Sequence, residues 1–269
     1  MTAARKLGCA GLGLLYAAGL LADLIAPGGY AAQDRDHPSA RPTPAHWLGT
    51  DELGRDRLAR LVHGTRVSLF LAPAAAAIAT ALAAVAGFAS AVVARRAGQV
   101  LTLAFDVLLS LPLLFLLITL RAALPLQVPP WTSLLITFTL LGLLGWPSSA
   151  RIVRAAVLSS RDSNYALQAR AAGLVHSRLF AVHLLPHLRP VLAAQFLLLI
   201  PVFILGEANL GILGLGVVEP LPSWGSLLAE LHNLDTLPSE PWRTAPALAL
   251  LSAVLCFHLA GSRHGESPA

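Results

Sequence analysis

Asp106 and Glu207 each stand inside a long apolar run, where an ionised carboxylate must be paired, hydrated or put to use. Such groups either line a polar path or fix a helix bundle through hydrogen bonds, and the sequence leaves both roles open. At about 1.5 Å per residue, Asp106 lies roughly 10 Å into its run while Glu207 lies towards the far end of its own, so a direct pair is not expected. His183 and His187 are spaced as metal ligands on a helix would be, but Pro186 disrupts any helix between them. The nine histidines form no H-E-x-x-H string, and Cys9 and Cys256 sit in apolar stretches at opposite ends of the chain. Neither a metal centre nor a disulfide framework is expected from these patterns. The only lysine, Lys6, lies outside any glycine-rich loop, so a G-x-x-x-x-G-K-[ST] phosphate cradle is absent, as is a G-x-S-x-G nucleophile elbow. No catalytic residue and no cofactor are expected, and the chain reads as a passage or scaffold without its own engine.

The elements that position these acids are long and apolar. Hydrophobic residues make up 56% of the 269, charged residues only 12%, and the mean hydropathy is +0.69, which excludes an ordinary soluble domain. Aromatic content is only 6%, so the apolar residues are mostly Leu, Ala, Val and Ile, which favour spanning helices over barrel strands. Six spans are predicted, over 7–26, 67–94, 100–120, 131–147, 191–215 and 244–260. The first follows Arg5-Lys6 and approaches the roughly 20 residues needed to cross a bilayer, which favours a retained helix over a cleaved signal. The second is so rich in alanine that it should pack closely against its neighbours. A sequence pI of about 10.0 would suggest nucleic acid in a soluble protein, yet here the basic residues fall between apolar runs and act as topology signals. Of the 19 basic residues, 11 lie on the side of the termini, and 151–189 contains the single acid Asp162. The positive-inside rule therefore predicts an inner-membrane protein with both termini cytoplasmic.

Between the spans, Pro27, Pro38, Pro42 and Pro44 mark an extracytoplasmic loop. Thr50 is a candidate cap for a short amphipathic helix with Leu53, Leu58, Leu61 and Val62 on one side and Arg55, Asp56, Arg57 and Arg60 on others. Gly211, Gly214 and Gly216 should end the fifth span, with Pro220, Pro222 and Trp224 in a packed turn at the membrane interface. Between the fourth and fifth spans, Ser163-Asn164 offers a helix cap. Tyr165, Ala169, Ala172, Leu179 and Phe180 follow at helical intervals interrupted at Gly173, which predicts two short helices. This segment could dock on another protein or be an ordinary solvated loop, and the residues alone leave both open.

The string YALQARAAGLVHSRLFAVHLLPHLRPVL resembles the cytoplasmic coupling loop of binding-protein-dependent ABC importer permeases. HWLGTDELGRDRLARLVHGTRVSL and ILGEANLGILGLGVVEPLPSWGSLLAE are similar to the first loop and fifth-span exit of the dipeptide, oligopeptide and nickel branch. With WPSSARIVRAAVL, these pieces cover most of the chain from His46 to Pro246. The resemblance implies an all-α membrane fold of six helices. It also implies a second homologous permease, two cytoplasmic ATP-binding subunits and an extracytoplasmic solute-binding protein as partners. Carried over by motif position, the ATPase-coupling role falls on Tyr165, Ala169, Arg170, Ala171 and Gly173, with Leu185 and Pro186 closing the motif.

The match has departures. Leu167-Gln168-Ala169 replaces the usual Glu-Ala-Ala, His187 stands where asparagine is common, and FHLAGSRHGESPA lacks the charged tail that usually follows the last span. The organisation expected is a first span and outer loop with its short helix over 1–66, a five-helix core over 67–261 holding the coupling loop 148–190, and a short tail over 262–269. Lipid is the medium and nucleic acid is not a partner. Peptide import is the leading expectation, with nickel import by the same architecture as the alternative. A proton-coupled secondary transporter using Asp106 or Glu207 is a third reading, and the long basic loop argues against it. An intramembrane enzyme lacks a nucleophile and base.

Overall fold

The computed structural model describes residues 3–161, 185–232 and 238–261. Among these, regular structure is helical, relieved only by two isolated bridges, Gln33 with Arg55 and Thr50 with Asp56. The helices are α1 (Ala3–Leu20), α2 (Ala22–Ile25), α3 (Arg57–Val92), α4 (Arg95–Ser110), α5 (Leu113–Ala123), α6 (Pro130–Leu144), α7 (Pro147–Arg161), α8 (Leu185–Ile212), α9 (Trp224–Ala229) and α10 (Ala245–Gly261).

Among the described residues, four helical segments are long and apolar enough to cross a membrane: Arg57–Val92, Pro130–Ser159, Leu188–Ile212 and Pro241–Gly261. The run predicted as an unbroken third span is instead two helices, α4 and α5, bent by 80°; counted as one span, the pair brings the number to five. The bend follows from Pro112, which has no amide proton and drives Leu111 into extended backbone at φ −95°, ψ 131°. Exposed Val85 (70%), Phe115 (60%), Leu198 (60%) and Leu251 (62%) present the apolar surface that a bilayer solvates.

The α3 helix is the axis of the bundle. Its alanines do the packing: Ala72, Ala75, Ala76 and Ala79 join Leu134, Phe138 and Leu141 of α6 and Ile200, Phe203 and Ile204 of α8 in one buried cluster. Small residues let the backbones meet, for a Cβ at Gly142 would stand 3.0 Å from the Ala75 carbonyl and one at Gly87 2.6 Å from that of Ala150. Against α10, a Cβ at Gly8 would come within 2.7 Å of the Ala260 nitrogen. Against α3, Tyr16 donates to the Leu69 carbonyl at 3.0 Å.

The short helix expected after Thr50 does not form as a separate element. Asp56 caps α3 by accepting from the Ala59 amide, and the helix runs unbroken from Arg57, past residues 66 and 67, to Val92. Thr50 is used in the preceding loop instead, where its hydroxyl accepts from the Ala40 amide at 2.8 Å and donates to the His37 carbonyl at 2.6 Å. Gly54, at φ +77°, turns the chain against the Asp34 backbone where a side chain would collide.

Candidate functional site

The chemistry-bearing side chains gather at the end of the bundle that carries the 27–56 loop. At its centre is Glu207, fully buried on α8. The Ser223 hydroxyl donates to Oε1 at 2.6 Å, and the Ser68 hydroxyl and Gly225 amide donate to Oε2 at 3.2 and 3.4 Å. The same Ser68 oxygen accepts from the Trp224 amide at 3.1 Å, and the Trp224 indole donates to Thr65 at 3.0 Å. Glu207 thus ties the chain returning after α8 to both α3 and α8. Two glycines allow the approach: a Cβ at Gly225 would stand 2.6 Å from Glu207 Oε1, and one at Gly211 would run into the Gly225 backbone. Trp224, expected at the lipid interface, is fully buried. Its ring joins the main buried cluster, and Gly214, at φ +73°, turns the chain beyond α8.

Asp106 is set differently. Its side chain is 45% exposed on α4 and lies 3.3 Å from Arg151 of α7. The structure therefore brings neither acid to the other.

Around the Glu207 anchor lies an ion network that links residues about 160 positions apart. Arg55 binds Asp51 through Nε at 2.6 Å and grips Glu219 with both terminal nitrogens, at 2.8 and 3.1 Å. Arg60, 1% exposed, binds Asp51 at 2.7 Å and Glu219 at 3.0 Å, and closes tightly on Glu230. Arg57 reaches Glu230 at 3.2 Å and the Thr50 carbonyl at 3.0 Å, while Arg243 donates to the Glu230 carbonyl at 3.1 Å. Burial alone would raise the Asp51 carboxyl, but the Arg55 amide and guanidinium with the Arg60 charge outweigh it and hold it below the usual range. The bidentate Arg55 contact chiefly lowers Glu219. Desolvation opposes the charge on Arg55, yet its bonds to Glu219 and Asp51 leave its pKa raised. The network borders a cleft of about 670 Å³ lined with both signs of charge.

Sequence reasoning missed Arg121, in the last turn of α5 and 1% exposed. It donates to the Pro125 carbonyl at 3.3 Å and to Ser133 at 3.1 Å, and Ser133 passes the connection to the Gly216 carbonyl at 3.0 Å. No carboxylate among the described residues pairs with it. The available signal was its position: a lone arginine within an apolar stretch calls for the same attention as a lone acid.

Of the coupling residues, Tyr165, Ala169, Arg170, Ala171 and Gly173 lie outside the described residues, as does His183, while Leu185 and Pro186 open α8. Among the described residues, no three His, Cys, Asp or Glu side chains are grouped to hold a metal ion.

Comparison with known proteins agrees with the helical architecture. Residues 79–263 match the family model described as the binding-protein-dependent transport system inner membrane component. The chain is 33% identical over 258 residues to the di/tripeptide transport system permease protein DppC of Pseudomonas aeruginosa, covering 92% of this chain and 82% of that protein. It is 30% identical over 247 residues to the dipeptide transport system permease protein DppC of Alkalihalophilus pseudofirmus, covering 90% and 77%. Against the oligopeptide transport system permease protein OppC of Bacillus subtilis the figures are 34% over 202 residues, 75% and 64%. A bundle of apolar helices, glycine seams that bring them together and a match running from α3 through α10 lead to one assignment: the chain belongs to the family of binding-protein-dependent transport system inner membrane components, as a multi-pass permease.

Proposed function

We propose that this permease forms, with a second homologous permease, the path by which peptides cross the inner membrane. Two cytoplasmic ATP-binding subunits drive alternating access, and an extracytoplasmic solute-binding protein delivers the cargo. Similarity along 92% of the chain to a di/tripeptide permease carries this reading. In the proposed arrangement α1 is the first of six spans, the bent α4–α5 pair is the third, and both termini are cytoplasmic, which puts the Glu207 anchor and the ion network at the outer mouth. Tyr165, Ala169, Arg170, Ala171 and Gly173 form the surface that engages the ATPase, with Leu185 and Pro186 starting the helix that transmits its movement. The three donors on Glu207 favour its role as an anchor for the mouth over that of a bare charge in the path. The pairing of Asp106 with Arg151 favours a link between α4 and α7.

The test is co-purification of the tagged chain from mild detergent, alongside uptake of a labelled dipeptide by cells in which it is the sole permease of its type. A second permease and an ATPase should accompany the native chain, and Gly173→Asp should lose both the ATPase and uptake. A solitary chain that still transports overturns the proposal. Recovery of all partners with uptake of nickel and not of peptide overturns the cargo assignment.

A further inference from the structure

The α5 helix is attached to the bundle along one narrow stripe. Of its 11 residues only Leu117 and Arg121 are buried, one turn apart on the same face. Leu117 joins Leu134 and Leu141 in the main apolar cluster, so the middle of α5 is fixed by packing. The far end is fixed by the Arg121 guanidinium. At the near end Pro112 has no amide proton to continue the α4 ladder, and the two helices meet at 80°. At about 1.5 Å per residue, α5 reaches roughly 14 Å from Pro112 to Arg121, a lever with its joint at the proline.

The grip at the end of this lever is only partly compensated. Arg55 and Arg60 each meet the carboxylates of Asp51 and Glu219. Arg121, 1% exposed, has only neutral acceptors, the Pro125 carbonyl at 3.3 Å and the Ser133 hydroxyl at 3.1 Å. Its Nε is buried without a hydrogen-bond partner among the described residues. A cation taken from water with no counter-ion and one donor orphaned resists burial, while its two bonds favour it. An apolar side chain of similar length would stay buried more firmly. The opposed terms leave the end of α5 attached and releasable.

The grip also leads somewhere. Ser133, on α6, donates onward to the Gly216 carbonyl at 3.0 Å. A Cβ at Gly216 would stand 2.7 Å from the Gly211 Cα, and Gly211 in turn lies against Gly225, whose amide reaches Glu207. Arg121 therefore ties α5 to the same returning chain that Glu207 anchors.

We propose that Arg121 is a positioning residue for transport, latching the far end of α5 to the turn after α8 weakly enough to let go in each cycle. The proposal rests on the transport reading above. It is tested on the full chain purified with the subunits that accompany it, in nanodiscs for stability and distances and in proteoliposomes for uptake of a labelled dipeptide. Arg121→Met, which keeps length and removes the charge, should raise the denaturation midpoint by about 2–4 °C. The same variant should lower the Vmax of uptake about tenfold with KM unchanged, because the buried side chain meets no cargo. Arg121→Lys keeps the charge and should stay within a few-fold of wild-type Vmax, whereas Ser133→Ala removes an acceptor and should lower the midpoint. Nitroxides at the exposed Leu120 and Val85, with Cys9 and Cys256 replaced by serine, should give two distances during ATP turnover and one in Arg121→Met. A lowered midpoint in Arg121→Met overturns the proposal in favour of an ordinary structural bond. Wild-type Vmax in that variant, or a single distance in the wild type during turnover, also overturns it. A complex that hydrolyses ATP yet takes up no dipeptide refutes the cargo reading alone, since midpoint and distances need no peptide.

Discussion

Glu207→Leu should release the chain that returns from α8 across the mouth of the bundle. The carboxylate accepts a short bond from Ser223 at 2.6 Å, an ordinary one from Ser68 at 3.2 Å and a weak one from the Gly225 amide at 3.4 Å. Leucine has similar bulk and accepts none of them. The two hydroxyls can turn elsewhere, Ser223 towards Ser226 at 3.4 Å, but the Gly225 amide cannot. One hydrogen bond lost and one buried donor stranded come to about 2–4 kcal/mol. At about 1.4 kcal/mol per decade, the open population of the segment would rise roughly 30- to 700-fold. Trp224 is fully buried, so chymotryptic cleavage after it in lipid nanodiscs reports that opening. Glu207→Gln retains one acceptor and should cost about 1 kcal/mol, a several-fold faster cut. Wild-type cleavage rates in both variants would refute the anchoring argument. So would a Gln variant that is cut at the wild-type rate yet no longer transports, because Glu207 would then act on the cargo.

Two further outcomes follow from the ion network. Arg60→Met removes a buried cation shared by Asp51, Glu219 and Glu230, and should destabilise the protein by about 3 kcal/mol, read as a lowered denaturation midpoint in detergent; an unchanged midpoint would mean that Arg55 and Arg57 suffice. Asp51 and Glu219 have folded pKa values below their ordinary 3.8 and 4.5, so the unfolded chain binds protons first as the medium is acidified. Their contribution is complete above about pH 5 and is lost as pH falls through the folded values, so stability from this source should be flat from pH 7 to 5 and decline below pH 4. A decline already under way between pH 7 and 6 would place the sensitive groups elsewhere.

What was legible in the sequence was whatever repeats along the chain. Long apolar runs marked the spans, the alanines of 67–94 marked the helix that others pack against, and Gly211, Gly214 and Gly216 marked the end of α8. The bend at Pro112 was readable in principle, but it sits inside an apolar stretch whose hydropathy does not change across it. The start of α3 at Arg57 was missed because Thr50 and Asp56 are both good caps, and only the folded loop, which uses the Thr50 hydroxyl, separates them. The network was least legible. Arg55 and Glu219 are 164 residues apart, and neither has a local pattern that points to the other. Trp224 looked like an interfacial residue because tryptophans after a span usually are, and its burial depends on Thr65 and Ser68 of a distant helix.

The seam between α1 and α10 bears on how the chain is made. Gly8 and Gly11 press against Cys256 and Ala260, so one face of α1 is completed by a helix synthesised much later. At ~5–20 residues per second, roughly 12–50 s separate the synthesis of the two sides. During that interval α1 already has one native neighbour, since Tyr16 bonds Leu69 and Arg66 bonds the Gly19 carbonyl at 2.8 Å, both on α3. Its glycine face meanwhile lacks its native partner, and changes to Gly8 should therefore lower yield during biosynthesis before they alter the finished protein.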